Sequence, residues 1–505
     1  MYIAPNTIVK VFKNCPLDKS YENTILFASL SDQTSFFSGL TGYTFSNNTY
    51  QRVNKGKIRV AMSVESLYNC NYMAFQNSSF ENKWFYAFIN SIEYINNVTS
   101  EITYEIDVLQ TWHFDYELAQ CLVEREHTAT DEPGDNLVPE NLELGEYVSD
   151  DFDGTNLLAP KKIVVAATFD SNFVNISGSI YAGIFSGLYY HTFDNNTPGA
   201  VACAAFITDA ANHGKTDGIV SVFLMPEVMV TGLLEAAKNY TITKTKKISG
   251  AIDGYTPRNA KLYTYPFNFL YVTNMQGNAC AFPYEYFSSA TCNFFITGDM
   301  SPNPAVIMCP MYYKGIENGF PNYDEKMVLS GYPQLGFNVD TFRAWLAQNA
   351  TSLAVNASST AALAAANPVA AAISAKSLVS EIYQHSIMPN QARGGAGSTT
   401  NCAIGIQDFM FMHKHIRAEY AAIIDEYFDM FGYACHRVKI PDRDSRPEWN
   451  YVKTIGCKIN PSSLGGLPGD DMEKIETLYN SGIRWWKNPA HIGNYSYSNA
   501  PIPEE

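Results

Sequence analysis

Charge is scarce in this sequence, and over one stretch it is missing altogether. Only 17% of the 505 residues are Asp, Glu, Lys or Arg, against about 25% in an average soluble domain. From Ala344 to Ala375 no charged side chain occurs at all. Such a run suits a segment hidden in the folded protein or one that meets a membrane. Bulky apolar residues are also few within it. Between Ser358 and Ala375 only Leu363, Val369 and Ile373 are strongly apolar, giving roughly −1 to −2 kcal/mol in total on an insertion scale. A permanent transmembrane span is therefore not expected, while a conditional one, buried first and released later, stays open.

Other absences narrow the function. Positive charge is in deficit, with a formal net charge of −16, which argues against affinity for nucleic acid because phosphate binding needs clustered Lys and Arg. It is compatible with a wall past which DNA slides. The ten cysteines form no C-x-x-C and no even framework, so they read as free, mostly buried thiols. The opening MYIAPNTIVKVFKNC has no apolar core of signal-peptide length, so synthesis in a cytoplasm without export by that route is expected. Neither H-E-x-x-H nor G-x-S-x-G occurs, and no catalytic site is assigned.

What is abundant is aromatic: 33 tyrosines and 30 phenylalanines. That balance favours β-rich structure with Tyr-lined surfaces suited to extended assemblies. Alternation predicts strands through Ile58, Val60, Met62 and Val64, and a long hairpin from Trp84–Ile95 and Glu101–Trp112. Asp131–Asp153 reads as a loop, and Lys161–Thr168, Ile219–Met225 and Phe409–Ile416 as strands. The remainder of the middle is expected to be mixed and mostly β, with a short helix near Leu233–Lys238. Helices are predicted over Glu419–Phe431, with Ile423, Ile424, Tyr427, Phe428 and Phe431 on the apolar face and Gly432 just beyond it, and over Asp471–Asn480, capped by Asp470 and followed by Gly482. Trp84-Phe85-Tyr86-Ala87-Phe88 fits a sheet packed on both faces better than a ligand platform.

Short chemical motifs mostly dissolve on inspection. Gly214-Lys215-Thr216 ends like a P-loop, but Asp209 stands where the first glycine belongs, and a surface turn fits better. Asp151, Asp153 and Gly154 resemble a calcium loop whose twelfth position is Pro160 rather than Glu. His413-x-His415 puts two imidazoles on one strand face, yet zinc needs a third and usually a fourth ligand. None stands at a telling spacing, Cys435-His436 being a distant candidate. Glu124 and Glu126 on one strand face and Arg125 and His127 on the other do not converge as a dyad, and a charged edge strand or inter-subunit contact is expected. No cofactor and no metal site is assigned.

Two sets of motifs carry a resemblance. Near the N-terminus these are Phe75-Gln76-Asn77, Asn82-Lys83-Trp84-Phe85-Tyr86-Ala87-Phe88, Tyr104-Glu105-Ile106-Asp107-Val108-Leu109-Gln110-Thr111-Trp112 and Arg125-Glu126-His127. Near the C-terminus they are Ala418-Glu419-Tyr420, Gly432-Tyr433, Arg437-Val438-Lys439, Asn450-Tyr451-Val452 and Ile492-Gly493-Asn494-Tyr495-Ser496. In order and spacing the chain resembles the tail knob, or distal tail tube, proteins of phi-29-like short-tailed phages of Gram-positive bacteria. The likeness is good over roughly the first 130 and last 90 residues and poor between.

The resemblance implies a mainly β fold with minor α (α+β), a multi-domain subunit of a hexameric β-tube. Residues 1–165 and 401–505 would build the tube, residues 166–337 an outer knob region, and residues 338–400 an apolar loop. In that family such a loop plugs the lumen and is expelled to breach the host membrane. The matching residues are Leu346, Leu353, Val355, Leu363, Val369, Ile373, Leu378 and Val379, although the segment is poorer in bulky residues than the family pattern. Trp84, Tyr86, Asp107, Gln110, Trp112, Arg125, Tyr433, Arg437, Tyr451, Gly493 and Tyr495 would be structural. Implied partners are five further copies, upper tail and collar proteins, DNA passing without specific binding, and the host membrane. The setting would be the virion tail tip. Two other functions remain open: a tail-tip cell-wall hydrolase, and a receptor-binding protein whose Tyr-rich middle recognises wall polysaccharide.

Overall fold

The computed structural model describes residues 6–48, 56–155, 157, 161–175, 179–181, 184–186, 188–230, 239–300, 304–332, 334–336, 408–462 and 466–501. The chain forms two compact units. The first comprises residues 1–145, 250–262 and 417–505, and the second residues 146–249 and 263–416.

In the first unit a six-stranded antiparallel sheet runs in the order Gly42–Asn48, Thr7–Lys13, Cys70–Gln76, Trp84–Asn96, Thr99–Ile106, Lys57–Val60. Successive side chains of a strand point to opposite faces, and here both faces are covered. Val9, Val11, Met73, Phe75, Ala87 and Ile102 enter one core. Phe12, Tyr72, Ala74, Tyr86 and Phe88 enter another with Phe37, Trp112, Ile475 and Trp485. Each of the Val, Ile, Met and Phe side chains, fully buried, is worth about 1.5–3 kcal/mol. The long hairpin closes with Asn96 opposite Thr99.

A second sheet of this unit orders Thr24–Ile25, Ile483–Trp486, Trp449–Ile455, Cys121–Glu126, Tyr433–Lys439. The Cys121–Glu126 strand is therefore interior, not the edge strand expected from its charges. A bulge between Ala434 and Arg437 shifts its register, so Val123 and Glu126 are both buried. Its charges are neutralised within the unit: Glu124 accepts from Lys453, and Glu126 from Lys439.

The second unit contains three four-stranded sheets and a two-stranded one, Ser179–Tyr181 with Ile184–Ser186. One orders Tyr147–Gly154, Met410–Ile416, Asn268–Thr273, Ala279–Phe282. Another orders Tyr189–Asp194, Lys161–Ala167, Ile219–Pro226, Gln334–Gly336, and the third Tyr240–Thr245, Thr291–Asp299, Ala305–Met311, Met327–Leu329. On the Lys161–Ala167 strand, Val164 and Ala166 face a large aromatic core with Phe223, Phe282 and Phe294. Ile163, Val165 and Ala167 face Ala200, Cys203 and Ile207 of a helix over Thr197–Asn212.

That helix is absent from the sequence reading. Its Asn196 cap accepts a bond from the Gly199 amide, Pro198 sits in its first turn, and alanine fills its interior; each favours a helix start or continuation. Other expectations shift locally. Val64 opens a helical turn over Val64–Leu67 instead of extending the strand. Val108 likewise leaves the hairpin for a turn over Val108–Thr111, because the Asp107 side chain caps it. The Asp131–Asp153 loop ends where the Tyr147–Gly154 strand begins.

The helix Ala418–Phe431 buries Ala421, Ile424, Asp425 and Phe428, leaving Ile423 65% exposed. Its buried stripe runs through Asp425, and Ile423 lies on the opposite side of the helix. Gly432 follows with φ 64°, and a Cβ there would meet the Glu126 carbonyl oxygen at 2.2 Å. The helix Gly469–Ser481 begins after Pro468, so Asp470 stands in its first turn rather than at the cap. The short helix expected near Leu233–Lys238 lies outside the described residues.

Candidate functional site: an interlock of the two chain ends

Most of the motif residues converge in the first unit, where segments hundreds of positions apart hold one another. Asp107 is buried and caps the Val108–Thr111 turn. Its Oδ1 accepts from the Gln110 amide at 3.1 Å and its Oδ2 from the Tyr72 hydroxyl at 2.8 Å. Burial nevertheless pushes its carboxyl up to about 6. The Gln110 side chain donates from Nε2 to Thr24 Oγ1 at 3.1 Å and to the Ile25 carbonyl at 2.8 Å, while its Oε1 accepts from Gln33 at 3.1 Å. One amide thus joins the Thr24–Ile25 strand to the helix Leu30–Gly39.

Tyr86 is buried, its ring stacked on Phe37 at 4.2 Å between centroids. Trp84 is half-buried with the Lys10 ammonium 5.0 Å from its ring centre. Trp112 ties the ends together: its indole Nε1 donates to Asp471 Oδ2 at 2.9 Å, and Lys83 lies 3.9 Å over its ring.

Arg125 is the hub of a second cluster. It donates to the Gly432 carbonyl at 2.5 Å, pairs with Glu140, and covers the Tyr427 ring. Glu140 also accepts from Lys261 at 2.7 Å and from the Ala434 amide at 3.0 Å. Burial, then the Arg125 charge, holds the Lys261 ammonium down to about 7. The Tyr433 hydroxyl lies 2.7 Å from Asp131 Oδ1 and 3.0 Å from Asn259 Oδ1.

Asp425 was not among the residues singled out in the sequence, yet it is completely buried and accepts four bonds. These come from the Tyr255 hydroxyl (2.7 Å), the Arg258 amide (2.7 Å), and the Asn259 amide and side chain (3.0 and 2.8 Å). They clasp the 250–262 segment onto the helix Ala418–Phe431. An acidic residue within an apolar helical stripe is the one signal that could have found it. Burial raises the neighbouring Asp131 and Asp429 carboxyls as well.

The remaining C-terminal motif residues divide. The Tyr451 carbonyl accepts from the His127 amide, its own amide donates to His127 Nδ1 at 2.7 Å, and its ring packs on Phe431. A Cβ at Gly482, where φ is 102°, would meet the Tyr451 hydroxyl at 2.1 Å. Tyr495 accepts from Arg484 at 2.5 Å and packs on Trp449 and Trp486. Arg437 is exposed on the outermost strand of its sheet, and Gly493 makes a left-handed turn at φ 79° with open space around it. A cleft of about 610 Å³ in this unit is lined by Phe27, Asp32, Phe36, Arg443, Asp444 and Lys487, among others.

The motifs set aside as non-catalytic resolve structurally. Gly214 ends the Thr197–Asn212 helix in a left-handed turn, and Lys215 bonds Asn175. Asp151 and Asp153 pair with Lys247 and Lys244. All nine described cysteines are free, and seven of them are buried. No helix among the described residues is long and apolar enough to cross a membrane. Leu346, Leu353, Val355, Leu363, Val369, Ile373, Leu378 and Val379 lie outside the described residues.

Comparison with known proteins defines the class first. Residues 5–117 match the family described as the Caudoviral major tail protein N-terminus, which makes that region similar to tailed-phage tail proteins. The family described as "Bacillus phage phi29, Tail knob protein gp9, C-terminal domain" matches residues 234–388 and 371–500, more than half of the sequence, and the chain belongs to this tail knob family. Tail knob protein gp9 of Bacillus phage PZA is 25% identical over 98% of both chains. Its counterpart in Bacillus phage phi29 is 24% identical over the same shares. The solved tail knob protein gp12 of bacteriophage C1 shares the fold, with a TM-score of 0.60 and 16% identity, over 97% of this chain and 98% of that one. The family expected from the terminal motifs is the family found.

Proposed function

We propose that the protein is a structural subunit of the distal tail tube, that six copies close into a conduit for phage DNA, and that the 338–400 segments plug it before delivery. The observation that carries this reading is the family membership, which extends over nearly the whole length of named tail knob proteins. Two features of the first unit support self-assembly. The outermost strand Gly42–Asn48 is largely exposed, and the outermost strand Tyr433–Lys439 carries Val438 at 71% exposure, with Ile440 just past its end at 55%. Unpaired strand edges with apolar side chains favour pairing with another chain. The net charge of −16 suits a lumen that repels phosphate.

The plug segment is marginal for a membrane on its own. Six copies change that, because each later insertion is effectively intramolecular. Electron microscopy and light scattering of purified protein should show a six-fold ring or short tube. A monomer under all conditions removes the conduit. Deleting residues 344–375 should leave the ring intact and abolish leakage of dye from liposomes; equal leakage removes the membrane role alone.

A further inference from the structure

Away from the chain-end interlock, two strands of the second unit bring together three groups that are far apart in sequence. His413 and His415 project from one face of Met410–Ile416, and Asp150 on the paired strand Tyr147–Gly154 stands directly opposite His413. One ring nitrogen from each histidine and one Asp150 carboxylate oxygen all lie within 4.8 Å of one another. Asp150 is exposed and both imidazoles are buried. The third ligand that the His-x-His spacing lacked is thus supplied across the strand register, from 263 positions upstream.

Hydrogen bonding fixes where the lone pairs stand. The Asn268 side chain donates from Nδ2 to the Lys247 carbonyl at 2.5 Å, so its Oδ1 is an acceptor, and His413 Nε2 at 2.5 Å must be the donor. The lone pair of His413 is then on Nδ1, which is buried and meets no hydrogen-bond partner among the described residues. His415 Nδ1 faces the Ile416 carbonyl at 3.0 Å and must donate to it. The lone pair of His415 Nε2 therefore faces an Asp150 carboxylate oxygen at 2.8 Å. Two acceptors so disposed repel unless a cation, a proton or a metal ion, joins them.

We propose that Asp150, His413 and His415 bind a first-row divalent cation of the zinc class, with water completing its coordination. Two imidazoles and a carboxylate are a donor set that such ions accept. Each imidazole gives its other nitrogen to an oxygen acceptor, the arrangement that orients histidine ligands on metals. Ligand atoms on a tetrahedral ion with bonds near 2.0–2.1 Å stand roughly 3.3 Å apart, within the span the three groups already occupy. The nearby Lys247 ammonium pairs with Asp151 rather than Asp150, past a bulge in the strand, and so leaves the Asp150 carboxylate available. The ion would pin the strand Tyr147–Gly154 to Met410–Ile416.

Full-length protein stripped with chelator and dialysed against Co²⁺ or Zn²⁺ provides the test. About one equivalent per chain, with visible Co²⁺ absorption of a nitrogen–oxygen site, is expected. Asp150→Asn, at an exposed position that leaves the fold intact by circular dichroism, should weaken binding at least tenfold, as should His415→Gln. His213→Gln, at an exposed histidine elsewhere, should not. Failure of the parent protein to retain stoichiometric metal, leaving only an imidazolium–carboxylate pair, overturns the proposal. So does binding that Asp150→Asn leaves unchanged, whatever the folding of the histidine variant.

Discussion

The two units differ in how much charge they bury. Seven charged residues of the first are buried: Glu101, Asp107, Glu126, Lys261, Asp425, Arg446 and Arg484; among the described residues of the second only Asp408 is comparably buried. Both units cover the faces of their sheets with apolar and aromatic cores, so buried charge is what sets the first apart. Apolar packing is non-directional and tolerates substitution of similar volume. Buried charges are costly unless every lone pair and proton finds its partner. The first unit is therefore the more exactingly specified of the two, and the one in which removing a single polar partner should do most damage.

Asp425→Ala should show this most strongly. It strands the buried Asn259 amide at about 1–3 kcal/mol and removes the bonds from the Arg258 amide and the Tyr255 hydroxyl at about 0.5–1.5 kcal/mol each, for a loss of roughly 2–6 kcal/mol, while the Asn259 side chain keeps Asp429. Hydrogen exchange read strand by strand should lose protection in Ala418–Phe431 before Thr291–Asp299, and the reverse order would break the contrast. Phe294→Ala, in the core of the second unit, should cost about 3–5 kcal/mol through a cavity, with the exchange pattern inverted.

Acid should separate the units more gently. Burial and the Arg446 charge hold His127 down to about 3, and burial holds His113 down to about 4. Between those values and 6.5 the unfolded chain binds more protons, so stability present above pH 6.5 is lost as pH falls. Asp107, pushed up to about 6, acts oppositely, gaining stability as pH falls through 6 toward its unfolded value. Burial also raises the Glu126, Asp131 and Asp429 carboxyls, which act in the same sense as Asp107, so the histidine contribution is read by substitution. From pH 7 to pH 4 the denaturant midpoint of His127→Gln should fall less, or rise more, than that of the parent; identical pH profiles would assign the acid sensitivity elsewhere.

What the sequence revealed follows from how far each signal reaches. Alternation in Trp84-Phe85-Tyr86-Ala87-Phe88 is local, and the sheet it implies is there, with Tyr86 and Phe88 in one core and Ala87 in the other. Both C-terminal helices were legible from periodicity and their closing glycines. The helix Thr197–Asn212 was missed because its alanines carry little apolar contrast, although Asn196 and Pro198 mark its start. Register between distant strands leaves no local trace. Hence Asp150 opposite His413 was invisible, as was the pairing that gives the charged strand Cys121–Glu126 a neighbour on each side. In the interlock, the motif residues were legible only as a resemblance, while Asp425 and Asn259, which bind through non-local bonds, were not.

The bond from Trp112 to Asp471 spans 359 positions of chain. During synthesis the first sheet must wait, one face bare, until the ribosome has released the final helix. Any product terminated before Gly469–Ser481 should remain sticky, a natural client for chaperones and proteases instead of a defective brick in the tail.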